Sequence, residues 1–148
     1  MFYINIVTKI FNMKRIVLIL IALFSVSSVF ADSNIRYYKS THFSYKTLNN
    51  DGSWTDWTKW ETSDVLITMN FDEDVIFIYT PTIQSYKIFG YTERYYDDNG
   101  GVQVAMPCYN KDGVKGVIRL RISENGYSQL YVEFANIQWV YTVILVLK

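Results

Sequence analysis

Apolar and polar side chains alternate along most of the chain from residue 35 onward, with the period of two that is typical of β-strands with one buried face. The segment 114–122 separates its two faces most clearly. Its apolar face holds Val114, Ile118, Leu120 and Ile122, and its polar face holds Lys115, Arg119 and Arg121. Comparable segments predict about eight strands, at 35–47, 65–71, 75–80, 83–91, 102–109, 114–122, 127–135 and 137–147.

Dipeptides that tolerate a positive φ separate several of these segments, and dipeptides of this kind close two-residue hairpins. They are Asp51-Gly52, Asn99-Gly100, Asp112-Gly113 and Asn125-Gly126. The last three follow one another at intervals of thirteen residues, which favours an antiparallel meander. We therefore expect an all-β fold, a small closed or nearly closed β-barrel, because closure removes exposed sheet edges. A two-sheet β-sandwich is the alternative. A membrane-spanning barrel of eight strands is disfavoured, because several segments are too short or too mixed to present an apolar face to lipid.

Two segments have unusual face patterns. In 35–47 the alternation is loose and places Ile35, Tyr37, Phe43 and Tyr45 together on one face. In 137–147 both faces are largely apolar, which is typical of a strand that is buried on both sides or lies at an interface. We expect a loop, a short helix or a second copy of the chain to cover its outer face. The interface candidates on that face are Val140, Thr142, Ile144 and Val146.

Residues 1–31 are interpreted as an N-terminal extension followed, from Met13, by a segment with the layout of a secretory signal. Lys14 and Arg15 precede the apolar run IVLILIALF, and small residues lead to a cleavage point after Ala31. The start is predicted at Met13. A membrane anchor is the alternative, but a span needs about 20 apolar residues, more than this run provides. We therefore expect an exported protein, periplasmic or extracellular, with no stable membrane span once the signal is removed.

Residues 32–148 have the length of one domain and contain 14 acidic and 11 basic residues, a formal charge of −3. This charge argues against a nucleic-acid partner. Cys108 is the only cysteine, so no internal disulfide can form and packing must stabilise the domain. A single thiol in a β-rich stretch is typical of a small buried apolar group.

Few residues of the chain have catalytic chemistry. His42 is the only histidine and lies on the polar side of its predicted strand. The acidic stretches 72–74 and 97–98 lack the spacing of a calcium loop and are interpreted as hairpin turns. We expect no metal, no cofactor and no enzymatic activity. Paired carboxylates for glycoside hydrolysis are the weaker alternative, since sequence alone gives no separation for them.

The stretch WTDWTKW contains Trp54, Trp57 and Trp60 at a spacing of three. Its threonines favour a strand, in which Trp54 and Trp60 share one face and Trp57 takes the other, with a helix as the alternative. The spelling W-x-x-W-x-x-W resembles the tryptophan strand of thrombospondin type 1 repeats, in which such rings interleave with arginines. Those repeats need disulfides that this chain cannot form, so the resemblance implies only cation–ring stacking. Gly52-Ser53-Trp54 also has the G-x-W spelling of the first lipocalin strand, and no family follows from three residues.

Two functions are consistent with these features. In the first, the domain is a non-catalytic binding module that holds a small ligand, glycan or peptide on an aromatic surface of Trp54, Trp57 and Trp60. Arg119 and Arg121 would contribute to this site as cations. In the second, the domain is an interaction protein of the inhibitor or immunity type, which associates with a protein partner or forms a homodimer through its last strand.

Overall fold

The computed structural model describes residues 33–124 and 127–146. The predicted signal segment, with its start at Met13 and its cleavage after Ala31, lies outside the described residues. The described part contains strands and no helix. The strands are β1 (Ile35–Thr47), β2 (Glu61–Thr62), β3 (Leu66–Asn70), β4 (Val75–Ile78), β5 (Gln84–Ile88), β6 (Tyr95–Tyr96), β7 (Val102–Asn110), β8 (Lys115–Ile122), β9 (Ser128–Glu133) and β10 (Ile137–Leu145).

Eight of these strands form a closed antiparallel barrel in the order β1-β3-β4-β5-β7-β8-β9-β10, and β10 pairs back onto β1. The predicted barrel is therefore confirmed, and the sandwich alternative is not formed. The short strands β2 and β6 pair with β1 and β7. One end of the barrel, here the β3–β4 end, holds the loops 71–74, 89–94 and 97–101. The opposite β7–β8 end holds the loops 79–83, 111–114 and 134–136.

The apolar faces of the strands point into the barrel and form one core. Buried side chains come from most of the strands, and Ile118 and Leu120 of β8 are buried as the alternation predicts. The core contains Tyr38, Ile67, Met69, Ile76, Ile78, Tyr86, Ile88, Met106, Cys108, Ile118, Leu120, Leu130, Val132, Tyr141 and Val143. Burial of such side chains supplies the main driving force for folding in a domain without disulfides.

The predicted faces of β1 are partly wrong because the strand contains a β-bulge. The register with β10 shifts between Ser40 and His42, so Thr41 is an extra residue. Before the bulge Tyr38 points into the core, and after it Phe43 does. One inserted residue reverses which positions face inward, so Tyr37 does not share the face of Phe43.

Threonine hydroxyl groups replace backbone carbonyls as hydrogen-bond acceptors in the irregular segments that run beside β1 and β7. Thr58 donates its N–H to the carbonyl of Tyr45 at 2.9 Å, and its Oγ1 accepts the N–H of Tyr45 at 3.1 Å. Thr55 and Thr92 make the same pair of bonds with Thr47 and Ala105. The strands β2 and β6, which pair with β1 and β7, are only two residues long. The threonine bonds therefore keep further backbone groups of β1 and β7 paired beyond these short strands.

Candidate functional site

The tryptophan segment forms neither a helix nor a regular strand. It runs along the edge of β1, where Thr55, Thr58 and Glu61 lie opposite Thr47, Tyr45 and Phe43. Every third residue of the segment therefore meets every second residue of β1. This three-to-two pairing explains the tryptophan spacing, because Trp54, Trp57 and Trp60 each precede one of the three paired residues and occupy equivalent positions.

Trp54 and Trp57 lie on the same side of the segment, contrary to the strand prediction that separated them. The Lys46 ammonium lies 5.1 Å from the centre of the Trp54 ring and 4.9 Å from that of Trp57. These distances are in the range of cation–π contacts. Trp57 also meets Tyr131 edge to face, with ring centres 6.3 Å apart.

The stack continues to Arg119, whose guanidinium lies 3.9 Å from the centre of the Tyr131 ring. The complete stack therefore runs through Trp54, Lys46, Trp57, Tyr131 and Arg119. The interleaving of cations and rings resembles the predicted stacking, but a lysine takes the place between the tryptophans and the arginine stacks on a tyrosine. The faces of Trp54 and Trp57 are thus used within the protein, while Trp57 and Trp60 remain 39% and 49% exposed.

Arg119 and Arg121, predicted to bind a ligand, both have internal carboxylate partners. Arg119 binds Glu133 at 2.7 Å and also donates to the Gln103 side chain. Arg121 binds Asp97 at 2.5 Å. This hydrogen bond from Arg121 holds the pKa of the Asp97 carboxyl well below its usual range. The positive charges of this pair of arginines are therefore largely compensated, and ligand binding by them stays a prediction.

The outer face of the last strand is covered in part by the protein itself. Val140 is only 2% exposed and pairs with Ser44 on β1 and Tyr131 on β9. Ser44 donates to the carbonyl of Thr58, and Trp57 contacts Tyr131, so the tryptophan segment lies over this position. Val140 is thus removed from the predicted interface by burial.

The remaining interface candidates differ in exposure. Thr142 is half-buried, whereas Ile144 and Val146 are 49% and 43% exposed. Association through Ile144 and Val146 stays a prediction.

A cavity of about 470 Å³ opens at the β3–β4 end of the barrel. Its walls are apolar side chains of β7 and β8 together with loop residues, and Tyr91 and Ile122, 49% and 46% exposed, lie where it meets solvent. The lining consists of Phe71, Tyr91, Arg94, Val102, Gln103, Val104, Met106, Leu120 and Ile122. The volume is in the range of small-molecule sites, which occur in the mouths of β-barrels.

Two loop residues at this cavity have distinct polar roles. Tyr91 donates its hydroxyl to Asp74 at 2.6 Å, and burial together with this bond raises the pKa of Tyr91 to about 12. Asp74 has a positive φ of 52° in the β3–β4 turn, so the bond ties a strained turn to the cavity wall. Arg94 makes no hydrogen bond or ion pair with any described residue. The cavity is therefore an apolar site with one uncompensated cation at its wall.

Sequence reasoning missed this cavity, although it assigned most of the side chains that line it. The alternation in 102–109 predicts that Val102, Val104 and Met106 share one face, and that in 114–122 places Leu120 and Ile122 together. Alternation indicates which side chains point inward and gives no measure of the space between them. Of the lining residues, only Arg94 could have been noticed as a candidate binding residue in the sequence, because it is a cation between Tyr91 and Tyr95.

Neither His42 nor Cys108 is among the residues that line the cavity. His42 is exposed on β1 and hydrogen-bonds to the neighbouring Thr41 at 3.1 Å. Cys108 is buried in the core, as predicted, and desolvation raises the pKa of its thiol to about 11. Across residues 33–124 and 127–146, no three or more side chains of the metal-ligating types come together in a cluster.

Over the described residues, no helix is both long and apolar enough to span a bilayer. No protein-family model, curated protein or solved structure matches the chain.

Proposed function

We propose that this protein is an exported, non-catalytic binding module that holds a small ligand inside the β3–β4 end of its barrel. The ligand has an apolar body and one anionic group. The observation that carries this proposal is the cavity of about 470 Å³, which is open to solvent and lined mainly by apolar side chains.

The apolar wall supports an apolar ligand body. A dry apolar cavity of roughly 150 Å³ is large enough to take benzene, so the present volume leaves room for a longer or bicyclic molecule. Burial of that body would be favourable by about 25 cal/mol for each Å² removed from water. The ring faces of Phe71 and Tyr91, whose centres are 6.3 Å apart, add flat contact area at the mouth.

Arg94 supports the anionic group. It lies in the cavity lining and has no carboxylate partner in the described part of the chain, unlike Arg119 and Arg121. A carboxylate or sulfonate beside it would form a charge-assisted hydrogen bond. Because Arg94 is exposed, the gain is modest, and solvent screening limits it to about 0.2–1 kcal/mol.

A fluorescent anion, 1-anilinonaphthalene-8-sulfonate, is a suitable probe because it combines an apolar ring system with one sulfonate. We expect saturable binding to the full chain, competed by decanoate and more weakly by decanol. Val104→Phe fills the cavity and should abolish binding. Val114→Phe makes the same substitution at a 51% exposed position in the β7–β8 loop and should leave binding intact.

Arg94→Gln tests the anionic group separately. The preference for decanoate over decanol, about 1.4-fold to fivefold in the wild-type protein, should disappear while decanol binds as before. Unchanged probe binding in a folded Val104→Phe variant would contradict the proposal. If the probe binds at the tryptophans instead, Trp57→Ala and Trp60→Ala should abolish its binding. That result would favour a ligand site on the exposed tryptophans.

A further inference from the structure

The three tryptophans of the segment lie opposite alternate residues at the end of β1 and directly after it. The pairs are Trp54 with Leu48, Trp57 with Lys46, and Trp60 with Ser44. Alternate residues of a strand point to the same face, so these three side chains and the rings opposite them share the outer face of the barrel. Two residues of a strand span about 7 Å, which is therefore the step from one tryptophan to the next.

The first interval, between Trp54 and Trp57, is filled by Lys46. Its ammonium lies 5.1 Å from the centre of the Trp54 ring and 4.9 Å from that of Trp57. Both distances are within the range of cation–π contacts, so this lysine is held by two indole rings. The first interval shows which chemistry the tryptophan spacing accommodates, namely an alkylammonium side chain between neighbouring rings.

The second interval, between Trp57 and Trp60, has the equivalent register and no lysine. Ser44 takes the place of Lys46 there, and its hydroxyl donates to the carbonyl of Thr58 at 2.8 Å, so this short side chain stays at the backbone. Within the described part of the chain, no cation and no second ring lies against the ring of Trp60, which is 49% exposed. The second interval therefore repeats the Lys46 site without its cation.

A third ring borders the second interval. Tyr131 pairs with Val140, which in turn pairs with Ser44, so the tyrosine lies in the same row of residues across the outer face. Its ring meets that of Trp57 edge to face, with centres 6.3 Å apart. Aromatic side chains from the tryptophan segment and from β9 thus converge beside the position that a lysine would occupy.

The charges beside the second interval also favour a cation. Asp56 and Glu61 are exposed and have no ion-pair partner among the described residues, and Lys59 is the one basic residue between them. Arg119, at the far end of the stack, is compensated by Glu133. The two acids outnumber the one base, so the segment presents a net negative charge beside the exposed rings.

We propose that the second interval binds a lysine side chain displayed by a protein partner, which takes the position equivalent to Lys46. Optimal separation between carbon atoms in contact is about 3.5–4 Å, so a step of about 7 Å admits one alkyl stem between two rings. The ammonium would then meet Trp57, Trp60 and Tyr131. This site lies on the outer face and is independent of the cavity proposed to hold a small ligand.

The test compares two blocked peptides, acetyl-Gly-Lys-Gly-amide and acetyl-Gly-norleucyl-Gly-amide, which share the alkyl stem and differ in the ammonium group. The full chain is labelled with ¹⁵N-tryptophan, and Trp57→Phe and Trp60→Phe identify the two indole signals. We expect the lysine peptide to shift both signals saturably and to bind about twofold to fivefold more tightly than the norleucine peptide, the range of one exposed cation–π contact.

Lys46→Ser turns the first interval into a copy of the second. In this variant the lysine peptide should also shift the Trp54 signal, which it leaves unmoved in the wild-type protein. Trp60→Ala should abolish the preference for the lysine peptide, whereas Tyr96→Ala, which removes a 75% exposed ring on β6, should keep it.

Equal affinity of the two peptides for the wild-type protein would overturn the proposal, as would a Trp54 signal that does not respond in a folded Lys46→Ser variant. If Trp60→Ala does not fold, the wild-type comparison decides. Val104→Phe, which fills the cavity at the β3–β4 end, should leave binding of the lysine peptide unchanged. Loss of binding in that variant would place the peptide in the cavity and contradict a site at the tryptophans.

Discussion

Removal of one buried hydroxyl should measurably weaken the barrel. Ser40, 1% exposed, lies beside the β1 bulge, where its N–H donates to the carbonyl of Val65 at 2.8 Å. Its Oγ accepts the N–H of Val65 at 2.8 Å and bonds the Ser63 hydroxyl at 2.7 Å. Ser40→Ala keeps the backbone and deletes a single oxygen, so both partners lose their bond to it.

The cost follows from what each partner can do afterwards. The Val65 N–H is half-buried and has no other acceptor in the described structure, which costs about 1–2 kcal/mol. The Ser63 hydroxyl is also half-buried but can turn towards water, and its loss costs about 0.5 kcal/mol. Ser40→Ala should therefore lower the free energy of unfolding by about 2 kcal/mol. Ser63→Ala, which removes only the second bond, should cost about 0.5 kcal/mol.

Urea denaturation followed by far-UV circular dichroism measures both values, and the double variant completes a mutant cycle. We expect Ser40→Ala/Ser63→Ala to be no less stable than Ser40→Ala alone, since the shared bond is lost only once. A Ser40→Ala variant within about 0.5 kcal/mol of wild type, at an unchanged denaturant slope, would refute the account of hydroxyl groups as ladder acceptors.

Three further outcomes are expected. Trp57→Ala should destabilise the protein by about 2–3 kcal/mol in the same assay, because about three-fifths of a side chain with a surface of roughly 200 Å² is buried. Trp57→Phe should cost less, and equal costs for the two variants would argue against packing of the indole ring. The lowered pKa of Asp97 means that its charged form stabilises the fold above about pH 4 and that this contribution is lost as pH falls; Asp97→Asn should therefore lose less stability than wild type between about pH 4 and 2, and parallel pH curves would contradict this. Cys108, fully buried with a thiol pKa of about 11, should react with a disulfide reagent at pH 8 only as fast as the protein unfolds, whereas rapid labelling of the native state would contradict its burial.

The barrel could be predicted because alternation and turn dipeptides are local properties. The pattern in β8 and β9 and the glycines at 52, 100 and 113, which have φ values of 84°, 74° and 78°, agree with the structure. Asn125-Gly126 lies outside the described residues. The faces of β1 could not be predicted, because nothing in the residue types around Thr41 marks it as the extra residue.

The site was harder to predict than the fold, because its properties depend on neighbours that are distant in sequence. A regular strand would separate Trp57 from Trp54 and Trp60, as the spacing predicts. The three-to-two pairing with β1 instead makes the three positions equivalent, and this pairing depends on hydroxyl acceptors at Thr55 and Thr58. The cavity depends on how far β7 and β8 stand from the loop that carries Tyr91 and Arg94.

The pairing of β1 with β10 has a consequence for how the chain folds. Tyr38 pairs with Leu145, so the contact that closes the barrel joins strands that are about a hundred residues apart. The other barrel pairs can form between neighbouring segments as they emerge from the ribosome or a translocation pore. β1 keeps one unpaired edge until the last strand arrives, and such an edge can pair with other chains. Barrel closure is therefore the step at which a newly made chain passes from aggregation-prone to protected.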